Sequence, residues 1–459
     1  MGCAGFAKVS LTPPLGIELG GYGVYLQRRA SVVHDELFVR ALLLEDDSGK
    51  RVILLTLDLL GLEAEMTRKI VHRTAEALAL SEDHVLVSCT HTHSGPATVS
   101  LLGWGNRDPS YTATIPDRCV EASLAAVAAL CPVRIGMAHG KVRAIGMNRV
   151  RRYGPLDPSL HVVRFDTVQG EPLGVLFSHG CHPVTIDRRT VAGNAISADW
   201  PGYVAHRLSE EGYGETLFRL GACGDIDPVV AWHHFGFEGM ELSAEVVTQS
   251  LLALLGSITT TPELRLQVAQ HNVPLPLQPL TEQDIAATLS EAQRRYGAAQ
   301  AASTDAGGTQ PPEAVTYLKK SVLIPWEPRP DATVAAAWLQ FYQTWAQTMR
   351  ASLRAQPSQV SLSLIGLLLN GEAWLQVPGE IFTDLSLQIQ EGSPFSTTVV
   401  TTLANHFIGY IPDPEDFAVG GYAALVAPRL LQMPPYHPLV GEILVTGAIQ
   451  LLETLGERI

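Results

Sequence analysis

Two histidines separated by one residue form the pair in this sequence whose spacing best suits chemistry. His91 and His93 lie in the segment CTHTHSGP, directly after the apolar run of residues 84–88. In extended backbone, residues two apart point to the same side, so both imidazoles can face one point while Gly95 and Pro96 turn the chain away. The pair therefore fits a metal site in which one histidine is a ligand and the other contacts the bound water or the substrate.

Further histidines and carboxylates follow other segments whose apolar pattern predicts strands. These residues are Asp58, His179, His182, Asp225, Asp227, Glu380, Asn405, His406 and Tyr410. Ligands of α/β proteins bind beyond the carboxyl ends of the strands, so we expect these side chains to lie together. So many residues of metal-binding type on turns rich in glycine and proline favour a catalytic metal centre over core packing.

The elements that must position these residues alternate between strand-like and helix-like segments. Strands are predicted at residues 51–57, 84–90, 161–166, 174–178, 216–222, 362–369, 372–377 and 398–403. Helices are predicted at residues 64–80, 117–130 and 198–211. A strand–helix–strand rhythm of this kind predicts an α/β core.

Residues 262–359 have a different pattern, which predicts a helical insertion or a lid over the site. Helices are expected at residues 281–302 and 331–354, and residues 303–312 have the composition of a loop. The second helix carries Trp338, Phe341, Tyr342 and Trp345 at helical spacing. Such a stripe predicts a packing face rather than a ligand-binding surface.

Charge and composition exclude several classes of function. The formal net charge of −14 over 459 residues argues against a nucleic-acid or anionic-membrane surface. A basic cluster at Arg149, Arg151 and Arg152 still allows an anionic group on a small substrate. Six scattered cysteines without a C-x-x-C pair predict reduced thiols. With no secretory signal and no integral membrane segment in view, we expect a cytoplasmic protein acting on a small molecule, with homo-oligomerisation left open.

The chain contains, in this order, the segments CTHTHSGPA, MNR at residues 147–149, CHPVT, residues 196–203, GDIDP, VPGE and NHFIGYIPDPEDF. Together these segments resemble the motifs of neutral ceramidases, which are zinc-dependent amidohydrolases that cleave the N-acyl bond of ceramide. The resemblance covers nearly the whole chain except residues 262–359. It implies one catalytic domain over residues 1–459, a mixed-sheet core flanked by helices, and no C-terminal β-sandwich domain.

The resemblance also implies roles for individual residues. The residues that would bind Zn²⁺ are His91, His182, Glu380 and Tyr410. Two histidines and a carboxylate are a common catalytic zinc set, whereas a tyrosine ligand requires the metal to lower the phenol pKa. His93 and Arg149 would contact the water or the substrate carbonyl oxygen and stabilise an oxyanion. From the sequence alone, Arg149 could instead pair with Asp157 or Asp166.

One departure from the family's motif changes the expected substrate. Where the family has serine in G-D-x-S-P, an active-site residue, this chain has Asp227. Asp227 could transfer protons, bind an amine or hydroxyl of the substrate, or form a turn before Pro228. We therefore expect zinc-dependent hydrolysis of an amide or related acyl bond in a small polar substrate rather than in long-chain ceramide. His233 and His234 are predicted to line the substrate pocket, with a solvated loop as the alternative.

Two functions of other classes stay open. One is a zinc-dependent hydrolase of a glycosidic or other polar bond, with Asp227 as the acid or base. Turnover of a sugar or polyol without release of an acyl group would identify it. The other is a non-catalytic metal-binding relative, which would retain zinc and turn over no substrate.

Overall fold

The computed structural model describes residues 1–24, 27–142, 145–151, 153–186, 191–229, 236–304 and 332–457. Its strands, in chain order, are β1 (Cys3–Ser10), β2 (Val32–Val33), β3 (Phe38–Glu45), β4 (Arg51–Leu57), β5 (Val85–Cys89), β6 (Cys131–Lys141), β7 (Gly146–Asn148), β8 (Ser159–Thr167), β9 (Pro172–His179), β10 (Ala195–Ile196), β11 (Glu215–Leu220), β12 (Ile226–Pro228), β13 (Leu266–Pro276), β14 (Gln359–Leu369), β15 (Glu372–Gln376), β16 (Glu380–Ile381), β17 (Thr398–Thr401) and β18 (Tyr410–Ile411). Its α-helices are α1 (Ala64–Leu78), α2 (Pro109–Thr112), α3 (Ile115–Ala128), α4 (Asp199–Glu210), α5 (Glu238–Leu255), α6 (Glu282–Thr304), α7 (Ala332–Ala351), α8 (Thr383–Gly392), α9 (Pro414–Val419), α10 (Ala427–Leu430) and α11 (Val440–Gly456). Within these ranges, no helix combines the length and apolar composition needed to cross a lipid bilayer.

The largest sheet has eight strands in the order β11-β9-β8-β6-β1-β3-β4-β5. Its two end pairs, β4–β5 and β9–β11, are parallel, and the pairs between them are antiparallel. The expected α/β fold with a mixed sheet is therefore confirmed.

A second sheet, β13-β14-β15-β17, packs face to face on the first. Successive side chains along each strand point to opposite faces of the sheet. On β3, Leu42 and Leu44 contact a core that includes Leu367 and Trp374 of the second sheet, whereas Leu43 belongs to the core beneath helices α1, α3, α4 and α5. Helices α8 and α11 cover the outer face of the second sheet. The result is a helix–sheet–sheet–helix sandwich.

Residues 262–359 contain the two expected helices and, in addition, a strand that the sequence did not predict. They begin with β13, whose residues pair with β14 in one continuous antiparallel register from Leu266 to Pro276. Helices α6 and α7 follow and pack on each other. Phe341 and Trp345 of α7 are buried against the segment that carries Leu101, so the predicted packing face is confirmed. The predicted loop at 303–312 lies mostly outside the described residues.

The site residues meet because the large sheet bends back on itself. Five antiparallel pairings separate β4 from β9, so these two strands do not share one carboxyl edge as sequence reasoning assumed. Instead β11 lies against β4 and β5: the buried Arg219 donates to the carbonyl of Leu86 and the hydroxyl of Ser88, and the Thr56 hydroxyl donates to the carbonyl of Phe218. Accumulated strand twist accounts for such a curled sheet.

Candidate metal centre

Three histidine side chains converge at one buried point. The ligand nitrogens of His91, His93 and His182 all lie within 4.8 Å of one another. Glu380 Oε2 lies 2.9 Å from His182 Nε2 and 3.3 Å from His91 Nε2, and His93 Nε2 lies 3.3 Å from His91 Nε2. Imidazole nitrogens and a carboxylate oxygen facing one point form a donor set suited to a divalent transition metal.

Backbone carbonyls fix the orientation of two of the rings. His91 Nδ1 donates to the carbonyl of Leu60 at 2.6 Å, and His182 Nδ1 donates to the carbonyls of Cys223 at 2.6 Å and Ile226 at 3.1 Å. A carbonyl only accepts, so the proton sits on Nδ1 and the Nε2 lone pair faces the shared point. Metal-binding histidines typically have outer partners of this kind. His93 differs, because among the described residues its buried Nδ1 has no hydrogen-bond partner.

The backbone around the histidines adopts conformations that only close surroundings can hold. His91 has φ +69°, in the left-handed region that residues other than glycine rarely adopt. Its backbone N–H donates to the carbonyl of Leu59 at 2.9 Å. Gly21, at φ +86°, faces the other ring: a Cβ there would lie 2.4 Å from His93 Nδ1. The glycine is required for His93 to occupy its place.

Glu380 and Tyr410 are adjacent because their short strands pair. In the parallel pair β16–β18, Glu380 lies opposite Tyr410. Gly379 and Gly409, which precede them, both have φ +79°, and a Cβ on Gly379 would lie 2.6 Å from the Gly409 carbonyl oxygen. The VPGE and GYIP segments therefore meet through a close approach that only glycine permits.

Burial and neighbouring charges favour the protonation states that a metal requires. Burial lowers the pKa of His93, helped by His91, and lowers the pKa of His182, helped by the Arg149 guanidinium. Burial alone would raise the pKa of Glu380, but His91 and His182 hold it well below its usual range. At neutral pH, His93 and His182 are thus neutral and Glu380 is a carboxylate, as ligation demands.

Arg149 bridges the metal centre and Asp227. Its guanidinium donates to Tyr410 Oη at 2.9 Å, to the carbonyl of Gly224 at 2.7 Å and to Asp227 Oδ1 at 3.0 Å. Asp157 and Asp166, the alternative partners considered from the sequence, bond elsewhere. Burial raises the pKa of the Tyr410 phenol, although Arg149 opposes the shift, so this hydroxyl stays protonated unless a bound cation displaces the proton.

Other polar residues singled out from the sequence have structural partners. Asp225 accepts hydrogen bonds from the backbone N–H and hydroxyl of Thr383, both at 2.8 Å, and from Asn148 at 2.6 Å. Asp58 accepts from Arg40, and His179 Nδ1 donates to the carbonyl of Ser159 at 2.9 Å. These bonds hold the turns that carry the site. His233 and His234 lie outside the described residues.

The metal centre lies at the polar end of a narrow pocket of about 20 Å³ whose walls are mainly apolar. Its apolar lining residues are Leu60, Leu101, Trp104, Phe407, Ala427, Leu430 and Leu431. Sequence reasoning assigned none of them to the site, because isolated leucines and aromatics read as core. Only Phe407 gave a signal, since it lies within the NHFIGYIPDPEDF segment. These walls do not fit the small polar substrate expected from the sequence.

Known proteins share sequence with this chain. Residues 4–222 match the family model described as neutral/alkaline non-lysosomal ceramidase, N-terminal. The chain is 28% identical over 211 residues to the neutral ceramidase of Mycobacterium tuberculosis, covering 40% of this chain and 32% of that protein. It is 25% identical over 249 residues to the neutral ceramidase of Pseudomonas aeruginosa, covering 49% of this chain and 36% of that protein. The matched segments thus span about a third of those relatives' length, and the resemblance inferred from the motifs is confirmed.

Solved structures share the fold over almost the whole chain. The crystal structure of neutral ceramidase from Pseudomonas aeruginosa superimposes with a TM-score of 0.69 and 17% identity, covering 99% of this chain and 75% of that one. A ceramidase complexed with C2 gives a TM-score of 0.71 and 16% identity, covering 100% of this chain and 76% of that one. The chain therefore has the neutral-ceramidase fold.

Proposed function

We propose that this chain, a relative of the neutral/alkaline ceramidases, is a metal-dependent hydrolase that cleaves the amide bond of an N-acylated lipid of the ceramide type. The observation that carries the proposal is the meeting of His91, His93, His182 and Glu380 at the inner end of an apolar-walled pocket. Apolar residues beside a polar metal centre would contact an acyl chain that enters along them, with the amide carbonyl at the polar end.

The apolar walls favour a lipid over a small polar substrate. Each methylene group transferred from water into such walls contributes roughly 0.8 kcal/mol. A polar substrate would gain nothing from Leu101, Leu430 or Phe407 and would leave part of its hydrogen bonds unmade. The expectation of a small polar substrate, which depended on Asp227 alone, is therefore replaced by a substrate with an alkyl chain.

The donor set indicates which residues would hold the metal. His91, His182 and Glu380 form its core, with Tyr410 as the further ligand implied by the family and His93 beside them. We take the metal to be Zn²⁺, which in such a set polarises a carbonyl and acidifies water. The outer hydrogen bonds of His91 and His182 keep both rings turned toward it.

Two residues of the chain carry the remaining chemistry. Hydrolysis adds a water oxygen to the amide carbon, breaks the C–N bond and delivers a proton to the departing amine. The neutral His93 imidazole holds the proton in transit, because its Nε2 faces the shared point. The Arg149 guanidinium, beside Tyr410, provides positive charge where the carbonyl oxygen becomes negative.

The test is release of both products from N-dodecanoylsphingosine. Purified protein should contain about one zinc per chain by elemental mass spectrometry and release sphingosine and dodecanoate in equal amounts. Removing the metal with a chelator should abolish the release, and adding Zn²⁺ back should restore it. Metal without turnover would support a non-catalytic relative. Cleavage of a glycoside with no acyl release would overturn the amide assignment.

A second experiment tests the pocket. Ala427→Phe places a bulky ring on the pocket wall and should lower turnover of long acyl chains about tenfold relative to acetyl. Val419→Phe, at a position 51% exposed on α9, is the matched control and should change the turnover of neither the long-chain nor the acetyl substrate. Equal loss for both chain lengths in Ala427→Phe would remove the pocket from the proposal. A cytoplasmic location and any oligomeric state remain predictions.

A further inference from the structure

The backbone brings Asp227 and Arg149 close to each other. β7 and β12 form an antiparallel ribbon in which Asp227 pairs with Met147 and Ile226 with Asn148. The Arg149 backbone N–H then donates to the carbonyl of Asp225 at 2.8 Å. Main-chain bonds therefore make Asp227 and Arg149 diagonal neighbours across the ribbon, where their side chains are within reach of each other.

The ion pair is largely withdrawn from solvent. The side chain of Asp227 is 1% exposed and that of Arg149 is 14% exposed. Asp227 Oδ1 accepts from Arg149, whereas Oδ2 has no partner among the described residues. Asp227 is not among the residues that line the pocket, whereas Tyr410, the other partner of Arg149, is. Asp227 thus acts on the site through Arg149.

The charge that Asp227 supplies decides what Arg149 can bind. A guanidinium binds a carboxylate through two parallel hydrogen bonds, and this preference is strong where water is scarce. In this chain, Asp227 already occupies one arm of Arg149 and cancels its charge. A neutral residue at position 227 would leave Arg149 and the metal as two cations facing only Glu380. Such a site would attract carboxylates.

We propose that Asp227 is a positioning residue that occupies Arg149 and prevents the site from retaining carboxylates. The product of the proposed hydrolysis is a fatty acid, so the ion pair speeds its departure. The identity of that product rests on the proposed function, but the exclusion of carboxylates does not. While it pairs with Asp227, Arg149 also donates to Tyr410.

The proposal predicts tighter carboxylate binding when the charge of Asp227 is removed. Isothermal titration calorimetry would compare the metal-loaded wild type with Asp227→Asn, using decanoate, decanamide and acetate as ligands. Decanoate and acetate should bind at least about tenfold more tightly to the variant, and decanamide should bind equally to both. Inhibition of turnover by decanoate should increase by the same factor, with KM for the amide substrate nearly unchanged.

Two further variants keep the result decisive. Asp227→Ser introduces the residue of the related motif and should behave like Asp227→Asn if the latter folds poorly. Asp413→Asn removes the carboxylate that pairs with Arg151, which lies two residues after Arg149. This variant should leave carboxylate binding at the site unchanged. Unchanged acetate affinity in folded, metal-loaded Asp227 variants would overturn the proposal. Loss of turnover together with loss of one limb of the pH profile would assign proton transfer to Asp227 instead.

The same titrations distinguish failure of the proposed function from failure of the proposed role of Asp227. Acetate has no long alkyl chain, so its affinity reports on the charge of the site and not on the apolar pocket. A protein that hydrolyses no amide and binds no decanamide, yet binds acetate more tightly after Asp227→Asn, would retain the inference without the function. Hydrolysis with unchanged acetate affinity would retain the function without the inference.

Discussion

The metal centre has a counterpart elsewhere in the chain with the same residue types but a different geometry. The metal centre consists of His91, His93, His182 and Glu380. The second group, called the surface cluster here, consists of His139, His161 and Glu372. In the surface cluster, His139 Nε2 lies 2.8 Å from Glu372 Oε1 and His139 Nδ1 lies 3.0 Å from His161 Nδ1. Residue types and closest distances are thus similar in both clusters.

The two clusters differ in what the second nitrogen of each ring does. In the metal centre, Nδ1 of His91 and of His182 donates to backbone carbonyls, so both Nε2 atoms face Glu380. In the surface cluster, both ring nitrogens of His139 contact side chains, those of His161 and Glu372. The His139 side chain is 38% exposed. We therefore expect that histidine and glutamate in proximity do not suffice for a metal site, and that burial and backbone acceptors that orient the rings are also required.

The largest expected effect is loss of the metal on removal of an oriented ligand. His182→Ala and Glu380→Ala should each lose the bound metal and lower turnover at least about a thousandfold, because the remaining donors cannot complete the set. Elemental mass spectrometry and amide hydrolysis measure both effects. His72→Ala, at an exposed histidine, is the control. Full metal content in His182→Ala would contradict the ligand assignment.

The next effect separates His93 from the oriented ligands. His93→Ala should lower turnover about a hundredfold and retain most of the metal, because no carbonyl in the described part of the chain orients its ring. His91→Ala, assayed in parallel, should lose the metal. Loss of metal from His93→Ala to the same extent would instead make His93 a third imidazole ligand, and would mean that orientation by a carbonyl is not required of every ring.

The fold was predictable where a segment is apolar and short. Arg51–Leu57 and Val85–Cys89 are buried strands as expected, and Ala64–Leu78 is the predicted helix. β13 was missed, because Leu266–Pro276 contains two prolines and a mixed polar pattern that resembles a loop. Its pairing with β14 over eleven residues overrides that local preference. Such long-range pairing leaves no local signal.

The sequence predicted which residues lie near the site, but not which side chains they contact. His91, His182 and Glu380 were brought together by motif resemblance, and the structure places them within hydrogen-bond distance or close to it. The pairing of Arg149 with Asp227 was missed, because it depends on the β7–β12 ribbon rather than on spacing. The apolar walls were missed as well. Their residues come from distant segments that only the curled sheet unites.

A smaller effect should appear in the pH dependence of stability, and it comes from the surface cluster. Burial lowers the pKa of His161 to about 4 from the ordinary 6.5. The unfolded chain therefore binds more protons between these values, and stability falls as pH decreases from 6.5 to 4. The full difference corresponds to roughly 3 kcal/mol, reduced by His139, whose pKa is raised by its hydrogen bond to Glu372.

Urea unfolding of the wild type and of His161→Gln between pH 4 and pH 7.5 measures this contribution. The variant should lose less stability on acidification, with the difference growing as pH falls below 6.5. The metal centre contributes equally to both proteins and cancels in the difference. If the free energy of unfolding falls in parallel with pH for both proteins, His161 has an ordinary pKa and is not shielded from water.

The smallest expected effect is that of removing the charge of Glu372. Glu372→Gln keeps an oxygen for His139 but loses the carboxylate, so the free energy of unfolding at pH 7 should change by less than about 1 kcal/mol. Metal content and turnover should stay at the wild-type level, because no ring of the surface cluster faces the metal centre's shared point. Glu380→Gln is the matched comparison and should lose most of its metal. Equal loss from both variants would show that residue types alone make a metal site, since the two clusters share those types and differ in burial and in the backbone acceptors of their rings.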